Sequence, residues 1–122
     1  MGVLGPHEGK ELELMLNHQK EIALFYTDAE VPVHFFPYLE NKTFEQKEIK
    51  LKSKLGDFSY YLIYRAENIA KAERLASILR QSFGKFDPNL EREIGKLLGY
   101  NQDDIEYYIK HFLNSLKNRE IY

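Results

Sequence analysis

The chain has no cysteine. Disulfides, thiolate metal ligands and thiol catalysis are therefore excluded, and a domain without such staples suits a reducing compartment. Long apolar runs are missing as well. Compact stretches such as Ile22-Ala23-Leu24-Phe25-Tyr26 are the longest, whereas a helix that spans a bilayer needs about 20 apolar residues. The segment Met1–Pro6 has neither a basic stretch nor an apolar one, so no secretory signal is read there, and Pro6 stands where a myristoylation motif requires Ser or Thr. Neither sign of charge is in large excess. The formal net charge is −2, which gives no global electrostatic reason to bind nucleic acid or an anionic membrane. The expectation is a cytoplasmic protein with no membrane partner, no metal and no cofactor.

What is present is enough for one packed core. At 122 residues the chain has the size of a single domain, 1–122, and about two thirds of its unfolded surface can be buried at that length. Apolar residues make up 43% and charged residues 30%, and nine Tyr and eight Phe supply large surfaces to bury.

Periodicity assigns the elements. Pro6 to Gln19 reads as a first helix, with Leu12, Met15 and Leu16 on one face. Glu21 to Thr27 has no helical period and suits a buried strand, followed by a turn at Thr27–Glu30. Val31 to Phe36 is a second strand candidate at an edge, because Pro32 removes a ladder donor, and a loop follows from Pro37 to Thr43. From Lys47 to Ser53, Ile49 and Leu51 alternate with Lys50 and Lys52, and Phe58 to Arg65 is the strongest strand of all. These two read as an antiparallel hairpin, turning at Lys54–Asp57. Helices follow at Ala66–Phe83, ended by Gly84, and from Asp87-Pro88 to Gly99, with Asp87 as N-cap. A last helix capped by Asn101 carries the stripe Ile105, Tyr108, Ile109, Phe112 and Leu116, and Lys117–Tyr122 frays. The fold expected is α+β: one N-terminal helix, a largely antiparallel sheet of about four strands, and three C-terminal helices packed on one face.

Few side chains announce chemistry. His7, His18, His34 and His111 show no converging ligand spacing, and no serine sits in a nucleophile elbow. Gly2, Gly5 and Gly9 lack the preceding strand that a phosphate loop needs. Asp103, Asp104 and Glu106 are explained by the dipole of the helix they open. The Lys-rich stretch offers more. Lys42, Lys47, Lys50, Lys52 and Lys54 lie near Phe44, Phe58, Tyr60, Tyr61 and Tyr64, a combination that stacks single-stranded bases on some sheets. The bland account is an edge strand guarded against aggregation. On the strongest strand, Phe58, Tyr60, Leu62 and Tyr64 face one way and Tyr61 and Ile63 the other. A sheet apolar on both faces needs a second cover, supplied by the first helix with the Val31–Tyr38 segment or by a second copy.

Three functions follow as expectations. The leading one is a non-catalytic binding or regulatory module that self-associates as a homodimer near Tyr61 or Ile63, with a protein partner possible. The second is nucleic-acid binding by hairpin 42–64 through Lys47, Lys50, Lys52 and Lys54. The third is an enzyme with a site near His34 and Tyr38. Finally, Ile94-Gly95-Lys96-Leu97-Leu98-Gly99-Tyr100, followed by Asp104-Ile105-Glu106-Tyr107-Tyr108, resembles a segment of uncharacterised archaeal and bacterial families. In those a helix ending Leu-Leu-Gly-Tyr runs into a short capped helix, usually with Pro in place of Asn101. Some carry cysteines after the Gly-Tyr pair. This chain has none, so the resemblance implies no redox or metal role here and no particular activity.

Overall fold

Alternation along the strand 56–64 decides the architecture. That strand, β3 (Gly56–Tyr64), lies in the middle of a three-stranded antiparallel sheet, between β1 (Ile22–Tyr26) and β2 (Glu45–Ser53). The arrangement is read from a computed structural model, which describes residues 2, 5–26, 31–54 and 56–120. The turn expected at Thr27–Glu30, Leu55, Ile121–Tyr122 and the side chains of residues 116–120, where the expected fraying falls, lie outside what is described. Tyr64 pairs with Ile22 on one side and Glu45 on the other, and Tyr60 pairs with Tyr26 and Ile49. Successive side chains of a strand leave on opposite faces. Leu62 and Tyr64 accordingly enter one core and Ile63 another.

The first core is aliphatic. Helix α3 (Ile69–Ser82) lays Ala72, Leu75, Ala76, Ile78 and Leu79 over Ile22, Ile49, Leu62 and Tyr64, and α4 (Pro88–Leu97) adds Ile94 and the following Leu98. Asp87 caps α4 by accepting from the amides of Asn89 at 2.9 Å and Leu90 at 3.4 Å, which satisfies amides that a helix start leaves without intrahelical partners. Helix α5 (Gln102–Glu120) begins where the Asn101 side chain accepts from the Asp104 amide at 2.8 Å.

The second core is aromatic. Phe25, Phe35 and Phe44 meet there with Met15, Ala23 and Ile63, all buried. Its cover is α1 (Glu11–Leu16) and the segment 31–44, which contains a single 3-10 turn, Val33–Phe35, and α2 (Phe36–Glu40). An isolated helix of six residues has no stability of its own. Met15, wholly buried, holds α1 to the sheet, and Arg65 Nη1 donates to the Met15 carbonyl at 2.8 Å.

The α+β class, the hairpin and the facing of Tyr60, Leu62 and Tyr64 against Tyr61 and Ile63 agree with the sequence reading. Several details do not. Val31–Phe36 is not a strand, so the sheet has three strands and not four. Pro32 has no amide to give a ladder, its carbonyl instead accepts from Phe35 at 3.0 Å, and Pro37 sits in the first turn of α2 where a missing amide costs nothing. The stretch read as a loop at Pro37–Thr43 is thus partly helical. The first helix starts at Glu11 and not Pro6, because Gly5 and Gly9 take positive φ of 56° and 77°, which breaks helical continuity. Helix α3 starts at Ile69, after a 3-10 turn at Ala66–Asn68. At the C-terminal end, α4 is the main packing partner of α5, with Ile105 and Ile109 buried and Phe112 only half-buried.

Candidate ligand-binding cleft

The stacking order sheet, α3, α4, α5 leaves a wedge. Side chains at the lower end of the sheet, Ile22 with Tyr64 and Leu24 with Leu62, are met by the helices. The next facing pair, Tyr26 with Tyr60, borders an open cavity of about 790 Å³ whose far wall is α5. Gly95 sets the geometry of that wall. A Cβ there would stand 2.7 Å from Ile105 Cγ1, so only glycine lets α5 approach α4 this closely.

Two aromatic groups flank the space. On the sheet side Phe58 meets Tyr60 edge-on at 4.9 Å, Phe83 at 5.7 Å and Tyr26 stacked at 6.2 Å. On the helix side Phe86 stacks on Phe112 at 4.2 Å, and Phe112 meets Tyr108 at 6.2 Å. Leu24, Leu79 and Ile94 form the floor. Of the lining residues described, the ionisable ones besides tyrosine are Lys85, Glu91 and Asp104. Lys85 is exposed, Asp104 is buried and engaged, and Glu91 is half-buried. Burial, with Asp87 adding to it, pushes the Glu91 carboxyl above the usual carboxylate range. Burial also raises the Tyr60 and Tyr108 hydroxyls, and the nearby Glu91 charge raises both further. Tyr60 is half-buried and Tyr108 is exposed, and both line the cavity with Glu91.

A second polar group lies behind the cleft. Lys20 is 2% exposed. Its Nζ donates to the Leu98 carbonyl at the end of α4, lies 2.9 Å from His7 Nδ1, and sits 4.9 Å from the centre of the Tyr100 ring. His7 in turn meets Tyr100 edge-on at 4.6 Å. Burial lowers the Lys20 ammonium to about 8, with Glu11 opposing, and burial together with Lys20 lowers the His7 imidazole to about 4. A cation at a helix C-terminus is favourable. The arrangement pins the N-terminal segment to the α4–α5 corner, where Gly99 takes φ of 84°.

The residues singled out from sequence fall elsewhere. Lys47 shares the face of Ile49 and Leu51, Lys50 and Lys52 leave on the opposite face, and Lys54 follows the strand. Of the aromatic residues expected to join the lysines, Tyr60 lines the cleft and Phe58 packs on Tyr60 and Phe83. Ile63 is wholly enclosed by its own chain and Tyr61 is half-buried on the same core. The cover expected to fall short on this face is completed by segment 31–44. His34 is exposed on the 3-10 turn, stacked on Phe35 at 5.5 Å, and Tyr38 packs on Phe44 at 5.8 Å. His18 has φ of 60° and ends α1, with the next amide, Gln19, donating to the Leu14 carbonyl at 2.8 Å. Among the described residues no group of three or more His, Asp or Glu is placed to hold a metal ion, and no helix is long and apolar enough to cross a membrane. Sequence reasoning missed Tyr26, Glu91, Tyr108 and Lys20, which come from separate elements and carry no shared spacing. A scan against protein-family models, a search of curated proteins and a search of solved structures each return no match.

Proposed function

We propose that the protein is a non-catalytic binding module that takes a small amphipathic organic molecule into the cleft between the sheet and α5. The observation that carries this reading is the cavity itself. At about 790 Å³ it falls within the range of ligand sites, and it pairs aromatic and aliphatic walls with a few polar groups at one place. Among the described lining residues the one serine, Ser82, gives its hydroxyl to the Leu79 carbonyl. Lys20 and His7 are close enough to act as a pair, but Lys20 is buried and both serve the packing of the N-terminal segment. The nucleic-acid reading is weaker for a geometric reason. The lysines divide between two faces, and the aromatic rings that would stack bases are engaged in the cleft or the cores. With Ile63 enclosed and Tyr61 half-buried, the sheet no longer calls for a second copy, and self-association is not part of the proposal.

Amide-detected NMR against a library of small aromatic and aliphatic compounds tests the reading. Shift changes are expected to cluster on Leu24, Tyr26, Tyr60, Ile94 and Tyr108. Changes confined to the Lys47–Lys54 stretch, or none at millimolar ligand, overturn it.

A further inference from the structure

The cleft's polar groups are unequal, and the inequality selects a ligand. Glu91 is half-buried, lines the cavity, and has no ion pair or side-chain hydrogen bond to any described residue. Its neighbours in the helix behave otherwise: Arg92 grips Glu106 at 2.9 Å and 3.1 Å, and Glu93 holds Arg74 at 2.8 Å and 3.0 Å. Glu91 instead lines the cavity, with Tyr60 and Tyr108 also on its walls.

Resting on the binding-module reading, we infer that the ligand is an organic cation: an amine or quaternary ammonium carried on an apolar body. A partly desolvated carboxylate gains most from an opposite charge. Tyrosine rings attract a cation to their faces. Tyr26, Tyr60 and Tyr108 line the same cavity as Glu91, and a cation is already seated over the ring of Tyr100, where Lys20 lies 4.9 Å from its centre. The alternatives fit less well. An anion enters against Glu91 and Asp104, and among the described lining residues the one cation is the exposed Lys85. A neutral molecule covers Glu91 without pairing it, which leaves a desolvated charge behind. The apolar body of the cation lies against Leu24, Leu79 and Ile94, and its charged end against Glu91.

Three probes on one carbon skeleton separate the possibilities: 2-phenylethylamine, 2-phenylethanol and phenylacetate, titrated at neutral pH and followed by NMR. The amine is expected to bind about tenfold more tightly than the alcohol, the size of one desolvated cation–π and charge contact, with the carboxylate weakest. Glu91→Gln, which keeps the shape and removes the charge, is expected to weaken the amine and strengthen the alcohol, so that the preference between them shrinks severalfold. Equal binding of amine and alcohol by the unsubstituted protein overturns the cation and leaves the cleft standing. An amine preference unchanged by Glu91→Gln overturns the pairing with Glu91. Binding of none of the three overturns the cation together with the cleft.

Discussion

On one side of the sheet, Met15, Phe25, Phe35, Phe44 and Ile63 close a core beneath a six-residue helix, a 3-10 turn and a five-residue helix. On the other, three longer helices leave a cavity of about 790 Å³. The difference is one of stiffness. A helix is a rod about 10 Å across, and a sheet is twisted, so α3 follows the sheet only over part of its length and α4 and α5 stack outward from it. Short pieces bend at every joint and bring each aromatic side chain to where it fits. Regular elements build the site by failing to fill the space, and irregular ones provide the seal that makes the sheet rigid beneath it.

The contrast is broken most directly by removing one Phe from each side. Phe35 is 0% exposed and touches Phe25 at 5.5 Å and Phe44 at 6.2 Å. Phe35→Ala is expected to lower the unfolding free energy by about 3–5 kcal/mol, as for other wholly buried Phe truncations. Phe112 is half-buried at the cleft, where water replaces the lost ring, and Phe112→Ala is expected to cost about 1 kcal/mol. Urea denaturation of both variants reads this directly. Similar costs would mean that the cleft is closed in solution and that Phe112 is a core residue, as its place on the helical stripe suggested.

The sheet and the helix ends were legible in sequence, and the cover of the sealed core and the cleft were not. The hairpin declared itself through alternation at Ile49 and Leu51 and through the apolar run Phe58–Tyr64. Asp87-Pro88, Gly99 and Asn101 marked the ends of α4 and α5, because caps are local chemistry. Val31–Phe36 misled because β-branched and aromatic residues suit a strand, and only the spacing of Pro32 and Pro37 favours a turn and helix start. Lys20 gave no signal at all. Its burial depends on the end of α4, 78 residues away, and on Tyr100. Glu91 gave no signal either, since an acid in the first turn of a helix is accounted for by the helix dipole. That it faces a cavity follows from where α5 lies, which depends on Gly95 and Ile105.

Lys20 supplies the next effect in size, and it is a pH dependence. In the unfolded chain its amine keeps the ordinary value of 10.5; in the folded chain burial brings it to about 8. Between these values the unfolded chain holds a proton that the folded chain has released, so stability rises with pH. The whole span corresponds to roughly 3 kcal/mol at about 1.4 kcal/mol per factor of ten in proton affinity. Tyr100, raised by burial, acts oppositely above its ordinary 10, where the unfolded chain loses its proton first. The rise is therefore expected between about pH 7.5 and about pH 9.5 in urea midpoints, and Lys20→Met flattens it. His7 contributes on the acid side. Its imidazole is lowered from 6.5 to about 4, so the unfolded chain takes up the proton first and stability falls as pH drops through that range. Glu91, whose carboxyl is raised, opposes this, because the folded chain keeps its proton to higher pH. The His7 effect is cleanest in a Glu91→Gln background.

The smallest effect expected is also the one whose sign is most informative. Gly95 sits inside α4, where replacing glycine by alanine usually stabilises a helix by about 0.5–1 kcal/mol. Here the new Cβ would stand 2.7 Å from Ile105 Cγ1 and 3.0 Å from its Cδ1. Neither atom can swing away while Ile105 stays buried, so α5 has to lift from α4. Overpacking of this kind costs about 1–3 kcal/mol, and the net expectation for Gly95→Ala is a loss of about 1–2 kcal/mol, read as a lower thermal midpoint. Because α5 is only the outer wall, amide exchange in the aromatic core around Phe35 and Phe44 is expected to stay as protected, relative to global unfolding, as before. A midpoint that rises instead means that helix propensity wins, that α5 is free to move, and that the cleft's width is set by something other than the contact between Gly95 and Ile105.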